Sequence, residues 1–178
     1  EAGSRIATVE GRVGSILSAE RTAVNFIQHL SGIATETSKY VAAVSESKAR
    51  IVDTRKTTPG LRILEKYAVR VGGGNNHRRN LGDGILIKDN HIEALASRGA
   101  SLADVVREAV RKAPHTVRVE VEIEDLEQLG QALDGGAEIV LLDNMEVGLM
   151  ARAVELARGR VVTEASGGIT LENVQDVA

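Results

Sequence analysis

The chain has 178 residues, 43% of them hydrophobic and 26% charged, which suits one ordinary domain, or one domain plus a fragment of another. It has no cysteine, which excludes a disulfide frame, a thiol nucleophile and a thiolate metal site. A net charge of −3 and only three aromatics, Phe26, Tyr40 and Tyr67, argue against a reader of nucleic acid, which needs excess positive charge and stacking platforms.

Thr8-Val9-Glu10-Gly11-Arg12-Val13 alternates as a strand does. A long helical stretch follows from about Ser18 to Ser47, with Ser18 as N-cap and Glu20 in the first turn, and Gly32 predicts a break into two helices. Residues 1–25 read as the tail of a preceding domain, and the opening on Glu1 rather than Met leads us to expect further chain before it. Short Ile, Val and Leu runs then predict strands at 50–53, 84–88, 116–122, 138–143 and 160–164, with helices at 102–113, 124–134 and 145–158. Strands alternating with helices imply a parallel sheet covered by helices on at least one face. Five or six strands cannot close an eight-stranded barrel of about 250 residues. The expected fold class is therefore α/β, an incomplete, open parallel barrel over residues 26–178, ending in a helix that has just begun at 171–178. No apolar run reaches the ~18 residues of a membrane span, and the first residues carry no signal-peptide pattern, so a cytoplasmic protein with no membrane partner is expected.

The chemistry is carried by the residues at the end of each predicted strand. The runs lead into Asp53-Thr54-Arg55-Lys56, Lys88-Asp89-Asn90, Glu120 and Glu122, Asp143-Asn144, and Glu164-Ala165-Ser166-Gly167-Gly168. In parallel α/β folds the active site is built at these carboxyl ends. The residues divide by sign. Arg55, Lys56, His77, Arg78 and Lys88 are cations in a segment, residues 50–88, that holds nine Lys/Arg against three Asp/Glu. Converging cations imply a multiply charged anion, gripped by arginine forks and point-charge lysines. Glu122 and Asp143, with Glu120 as a further candidate, suit sugar hydroxyls or a hydrated Mg²⁺; for Glu120 an exposed strand end is the competing reading. Ser166-Gly167-Gly168, before a helix expected near Thr170, offers backbone N–H groups to a phosphate. Gly72-Gly73-Gly74 does not sit between a strand and a helix, so it is not a dinucleotide fingerprint; it is read as a flexible loop or as the carrier of His77 and Arg78. His29 and His115 are read as surface or packing residues, and His91 as support for the turn at the strand end.

Glu20-Arg21-Thr22-Ala23-Val24-Asn25-Phe26, Asp53-Thr54-Arg55-Lys56-Thr57-Thr58-Pro59-Gly60, Asn76-His77-Arg78, Leu86-Ile87-Lys88-Asp89-Asn90-His91, Leu141-Leu142-Asp143-Asn144 and Ser166-Gly167-Gly168-Ile169 resemble, in order, the quinolinate phosphoribosyltransferase family. The resemblance implies an N-terminal α/β sandwich before an open barrel, a homodimer, and Mg²⁺-dependent reaction of quinolinate with phosphoribosyl pyrophosphate to nicotinate mononucleotide, pyrophosphate and CO₂. It implies that Arg55, His77, Arg78 and Lys88 grip the quinolinate carboxylates, and that Arg21 reaches the neighbouring subunit's pocket. It assigns Thr54 and Lys56 to the substrate site, Lys56 as the contact to phosphoribosyl pyrophosphate. Glu122 and Asp143 match the carboxylates near the ribose hydroxyls and the metal, with Lys88 beside them in the catalytic set. Ser166, Gly167 and Gly168 match the 5′-phosphate loop. Three other readings remain open on the residues: a barrel lyase using Lys88 as a Schiff-base amine, a relative acting on another base, and a binding subunit without turnover.

Overall fold

The computed structural model describes residues 3–96 and 99–178. In chain order it runs α1 Val13–Ala43, α2 Arg62–Val71, β1 Ile85–Ile87, α3 Asp89–Ala96, α4 Leu102–Lys112, β2 Val119–Ile123, α5 Leu126–Gly135, β3 Ile139–Asp143, α6 Val147–Ala157, β4 Val162–Ser166 and α7 Val174–Val177. The four strands are parallel and lie in the order β1-β2-β3-β4. Among the described residues the sheet does not close, as expected of an incomplete barrel. No described helix is long and apolar enough to cross a membrane.

The second half obeys its sequence signals closely. Ser101 Oγ caps α4 by accepting from the Asp104 N–H, Asp125 caps α5 by accepting from the Gln128 N–H, and Gly136, at φ +87°, ends α5 in the left-handed region. Strand alternation then sorts the sheet into two unlike faces. Val119, Val121 and Ile123 of β2, with Val140 and Leu142 of β3, are at most 2% exposed; they pack with Val106, Leu129, Ala132, Ala153 and Ala157 of the covering helices into one core. Register places the other set together: Glu120 opposite Ile139, Glu122 opposite Leu141, Leu141 opposite Glu164, and Asp143 opposite Ser166. One face is thus dry and apolar. The other carries the carboxylates.

The first half departs from expectation at several points. Residues 4–12 form no strand, because alternation without a neighbouring strand leaves the backbone groups of such a segment unpaired. Helix α1 starts at Val13, so Ser18 lies inside it and its hydroxyl bonds back to Gly14 O at 2.8 Å, leaving Arg12 as an N-cap without a side-chain bond. It runs unbroken through Gly32, a residue that costs only about 1 kcal/mol in a helix interior, and position 25/26 falls within it. The 50–53 run makes a single bridge, Val52 to Asn75, since side-chain acceptors at Asp53 and Thr54 take N–H groups that a strand ladder would use. Strand β1 is cut to three residues because the Lys88 carbonyl already accepts from the His91 and Ile92 amides at the entry to α3. Helices α2 and α3 have no counterpart among the expected elements. At the end of α2 a Cβ on Gly72 would lie 2.4 Å from Ala34 O and 2.7 Å from Thr37 Cβ, so the glycine run is a tight crossing over α1 and not a loose loop.

A similar contrast lies within α5. A Cβ on Gly135 would fall 2.6 Å from Val106 Cβ, whereas one on Gly130 would meet nothing within 4 Å. We expect Gly135→Ala to destabilise the protein by about 1–3 kcal/mol through overpacking, and Gly130→Ala to be neutral or to stabilise by up to about 1 kcal/mol. Denaturant midpoints of the two variants against the parent measure the difference.

Candidate active site

The site forms where two segments outside the sheet, 53–58 and 75–79, come over the carboxylate face. A buried ion pair fixes them. Lys66 on α2 is 3% exposed and Asp53 is 8% exposed at their side chains, and they are in direct contact. Asp53 also accepts from Asn76 Nδ2 at 2.6 Å and from the His77 N–H at 2.9 Å, while Lys66 Nζ donates to His77 O at 3.1 Å. Arg62 ties the outer rim: its three nitrogens donate to Thr57 Oγ1, Arg79 O and Arg55 O at 2.9–3.1 Å. Glu65, also buried, accepts from the Thr58 N–H and pairs with His29 Nε2 at 2.8 Å; the Thr58 side chain above all holds its carboxyl below the usual range.

From this frame His77 reaches down to the sheet. Its Nε2 lies 3.2 Å from Glu120 of β2 and 3.4 Å from Glu164 of β4. Glu120 is 4% exposed, so the exposed-strand-end reading fails: a residue 43 positions earlier covers it. Hydrogen bonds to Glu120 and then Glu164 push the His77 ring up to about 10. Arg78, next along, donates to Gly84 O at 3.2 Å. Burial lowers its hold on its proton, the Arg55 charge lowers it further, and Glu120 pulls it back up. Lys88, at the end of β1, pairs with Glu122 at 3.0 Å. Cations therefore stand over carboxylates.

At the ends of β3 and β4 the backbone is forced into unusual shape. Asn144 has φ +52°, Gly167 +88° and Gly168 +65°. Asn144 donates from its backbone to Ser166 O at 2.9 Å and from Nδ2 to Asp143 at 2.7 Å. A Cβ on Gly167 would lie 2.1 Å from Asn144 Oδ1, so only glycine fits. Among the described residues the Gly167 and Gly168 amides donate to no group of the chain. The helix expected near Thr170 starts later, at Val174, and turns fill the stretch after Gly168.

The structure brings His77, Arg78 and Arg55 together with Glu120 and Glu164, Lys88 with Glu122, and Asp143 with Ser166. Thr54 and Lys56 lie exposed on the rim, Thr54 Oγ1 accepting from the Lys56 N–H at 3.0 Å. Arg21 is not brought in; it stands exposed on the first half of α1. His29 packs on Glu65 and His91 receives the Lys88 N–H at 3.2 Å, both as expected. Sequence reasoning names Asp53 and Glu164 only as members of the strand-end segments, with no individual role, and does not single out Lys66 or Arg62. A cavity of about 200 Å³ lies between α1, α2 and Asp53, Thr54 and Lys56. A larger concavity of about 670 Å³ lies at the opposite, amino end of β3 and β4, around Arg118 and Arg160; it is remote from these groups and from the end where such folds place their chemistry.

The family model described as quinolinate phosphoribosyl transferase, C-terminal domain, matches residues 33–178. The chain belongs to this family. It is 48% identical over 172 residues to a Bacillus subtilis protein named probable nicotinate-nucleotide pyrophosphorylase (carboxylating), covering 97% of this chain and 58% of that one. It is 48% identical over 176 residues to the Mycobacterium leprae nicotinate-nucleotide pyrophosphorylase (carboxylating), covering 97% and 60%. The solved nicotinate-nucleotide pyrophosphorylase of Francisella tularensis superposes with a TM-score of 0.85 at 47% identity, covering 93% of this chain and 57% of that one. The chain thus spans about three-fifths of the length of these curated relatives. Membership in a phosphoribosyltransferase family, with Lys88 part-exposed and paired to Glu122, counts against Lys88 as the desolvated amine of the lyase reading.

Three variants probe this site. Lys66→Met strands a buried carboxylate and is expected to cost about 3–5 kcal/mol, part of which Asp53→Asn restores in the double variant; equilibrium unfolding of the three proteins reads this. The folded His77 ring is raised from 6.5 to about 10, so the stability it contributes is complete below about pH 6.5 and is lost as pH climbs through about 10. The stability gap between the parent and His77→Gln is therefore expected to narrow steadily from near-neutral to alkaline pH in denaturant titrations.

Proposed function

We propose that this chain supplies the catalytic barrel of an enzyme that transfers the phosphoribosyl group of phosphoribosyl pyrophosphate to quinolinate, with decarboxylation, giving nicotinate mononucleotide, pyrophosphate and CO₂. The observation that carries the reading is the gathering of Arg55, His77, Arg78 and Lys88 at the carboxyl ends of the strands, above Glu120, Glu122 and Glu164. A dicarboxylate supplies the anionic partner that such a set calls for. Phosphoribosyl pyrophosphate is placed by Thr54 and Lys56 on the rim and by the free amides at Gly167 and Gly168 after Ser166.

The C1′–O bond of phosphoribosyl pyrophosphate breaks with both electrons leaving on pyrophosphate, and the quinolinate nitrogen lone pair forms the new N–C1′ bond. Positive charge grows on the ribose meanwhile, and Glu122 and Asp143 are the carboxylates that stabilise it. The ring, now cationic at nitrogen, accepts the electron pair of the adjacent C–C bond as CO₂ departs, and a proton then takes the vacated position. Lys88 and Glu122 hold each other at 3.0 Å; when substrates bind, Lys88 turns to a carboxylate and Glu122 to the ribose. Positioning and electrostatics carry the reaction without a covalent enzyme intermediate.

Mg²⁺ fits the donor set. Glu122 and Asp143 are two oxygen-bearing side chains on neighbouring strands, and Mg²⁺ is commonly held by one or two carboxylates together with waters and substrate phosphates. When bound, it neutralises charge on the departing pyrophosphate. The assembly we propose is a homodimer in which exposed Arg21 serves the neighbouring subunit's pocket; Leu17, Phe26 and Ile27, exposed on the same half of α1, support this. Residues 1–25 hand over from an α/β sandwich, and the setting is the cytoplasm, where phosphorylated substrates are retained.

The full-length protein, given Mg²⁺, phosphoribosyl pyrophosphate and either quinolinate or nicotinate, is expected to yield nicotinate mononucleotide by mass spectrometry from quinolinate alone. Arg78→Ala should raise KM for quinolinate by about 10–100-fold, the loss of a charge-assisted fork, and leave that for phosphoribosyl pyrophosphate nearly unchanged. Product from nicotinate, or equal effects on both substrates, would overturn the assignment.

A further inference from the structure

We propose that Glu120 and Glu164 are positioning residues for His77: from two separate strands they hold its ring by Nε2, and so present Nδ1–H to a carboxylate of the substrate. The inference rests on the quinolinate reading and adds two carboxylates to it.

Glu120 sits between Val119 and Val121, both fully buried, and is itself 4% exposed. A carboxylate in such surroundings needs a partner of opposite charge. His77 is that partner, at 3.2 Å, with Glu164 meeting the same nitrogen at 3.4 Å from across β3. The ring is thereby fixed at its far end, while its backbone is fixed by Asp53 at the N–H and Lys66 at the carbonyl. A histidine held at both ends by four different groups has no freedom to swing. Among the described residues Nδ1 makes no hydrogen bond, so it is the donor left for a ligand. Which ring nitrogen faces a substrate is set by the bond the other one makes, and here that bond is doubled.

Charge favours the same arrangement. The groups facing the ring are Glu120 from β2 and Glu164 from β4, with Asp53 and Lys66 at its backbone and Arg78 beside Glu120, itself neighboured by Arg55. Two carboxylates against one imidazole keep it an imidazolium far above neutrality, so the anion meets a cation at every working pH. Glu120 also balances Arg78, which lets the cations assemble before substrate arrives. The three ligand atoms lie within 4.8 Å of one another, a spacing that also suits a metal ion. Holding one would require Nε2 to lose its proton with Arg78 close by. The hydrogen-bonded imidazolium is the arrangement these neighbours favour.

Two readouts test the proposal on the full-length protein. Long-range ¹H–¹⁵N spectra, with the His77 signals identified by their loss in His77→Gln, are expected to show both ring nitrogens protonated at about pH 8, and a titration brought down toward the ordinary histidine range in Glu164→Gln. Kinetically, Glu164→Gln should raise KM for quinolinate about tenfold or more, as the loss of one charge-assisted bond predicts, with KM for phosphoribosyl pyrophosphate unchanged. Glu120→Gln is expected to act in the same direction, and the exposed Glu127→Gln to do nothing. A neutral His77 ring at pH 8 in the parent would sink the idea. So would equal changes in both KM values, or stoichiometric Mn²⁺ broadening of the His77 signals that Glu164→Gln abolishes, since that result makes the cluster a cation site. Should quinolinate prove not to be the substrate, the spectra still decide the ring's state, so the two failures are separable.

Discussion

A buried carboxylate and a buried ammonium, Asp53 and Lys66, set the placement of almost everything chemical in this chain. The pair joins three stretches that share no sheet beyond the single bridge of Val52 to Asn75: the 51–56 segment, α2, and the 75–79 segment. Taking both charges out of water is costly, and replacing such pairs by apolar residues is often neutral or stabilising. Stability is therefore a poor account of its presence. Placement is a better one, because the Asp53 oxygens and the Lys66 ammonium direct their remaining hydrogen bonds to Asn76 and to both backbone groups of His77. Arg62 and Glu65, from the same ten-residue helix, complete the frame at Arg55, Thr57, Thr58 and Arg79.

The frame matters because the sheet beneath it is two-faced. Parallel strands covered on both sides read as near-continuous apolar runs, and β3 nearly does. Strands β2 and β4 do not: Glu120, Glu122 and Glu164 break the pattern on one parity only, while Val119, Val121 and Ile123 keep the other parity dry. Left alone, those carboxylates would repel one another. His77 between Glu120 and Glu164, and Lys88 against Glu122, resolve the repulsion while bringing cations to the strand ends.

Legibility in the sequence tracks the range of the interactions involved. Strands β2 to β4 and helices α4 to α6 are readable because period, cap residues such as Ser101 and Asp125, and the glycine after α5 are all local signals. The 8–13 strand fails because alternation says nothing about whether a pairing partner exists. The 50–53 strand shrinks to one bridge because Asp53 is committed to Lys66 and His77, residues 13 and 24 positions away. Strand-end logic points to Arg55, Lys88, Glu122 and Asp143 from local sequence alone. It cannot see that Glu120 lies beneath His77, nor that the glycines at 72–74 are packed on Ala34 and Thr37. Those depend on how α1 and α2 cross.

The same distinction explains the form of the strand ends. Asn144 accepts a left-handed backbone, uncommon for a non-glycine residue, and the following strand must then offer glycine at 167 because the Asn144 side chain fills the space a Cβ would need. Each feature alone is a common turn. Coupled through the Asn144 to Ser166 bond, they turn Asp143 and the Gly167–Gly168 amides into one unit, a carboxylate beside unpaired N–H groups. A phosphorylated sugar presents the complementary pair, hydroxyls for the carboxylate and phosphate oxygens for the amides. In the reaction we propose, the cation layer over β1 and β2 takes the flat dicarboxylate by charge, and this turn takes the sugar phosphate by backbone shape. The sheet holds the two at neighbouring strand ends, and that adjacency is what a transfer between them requires.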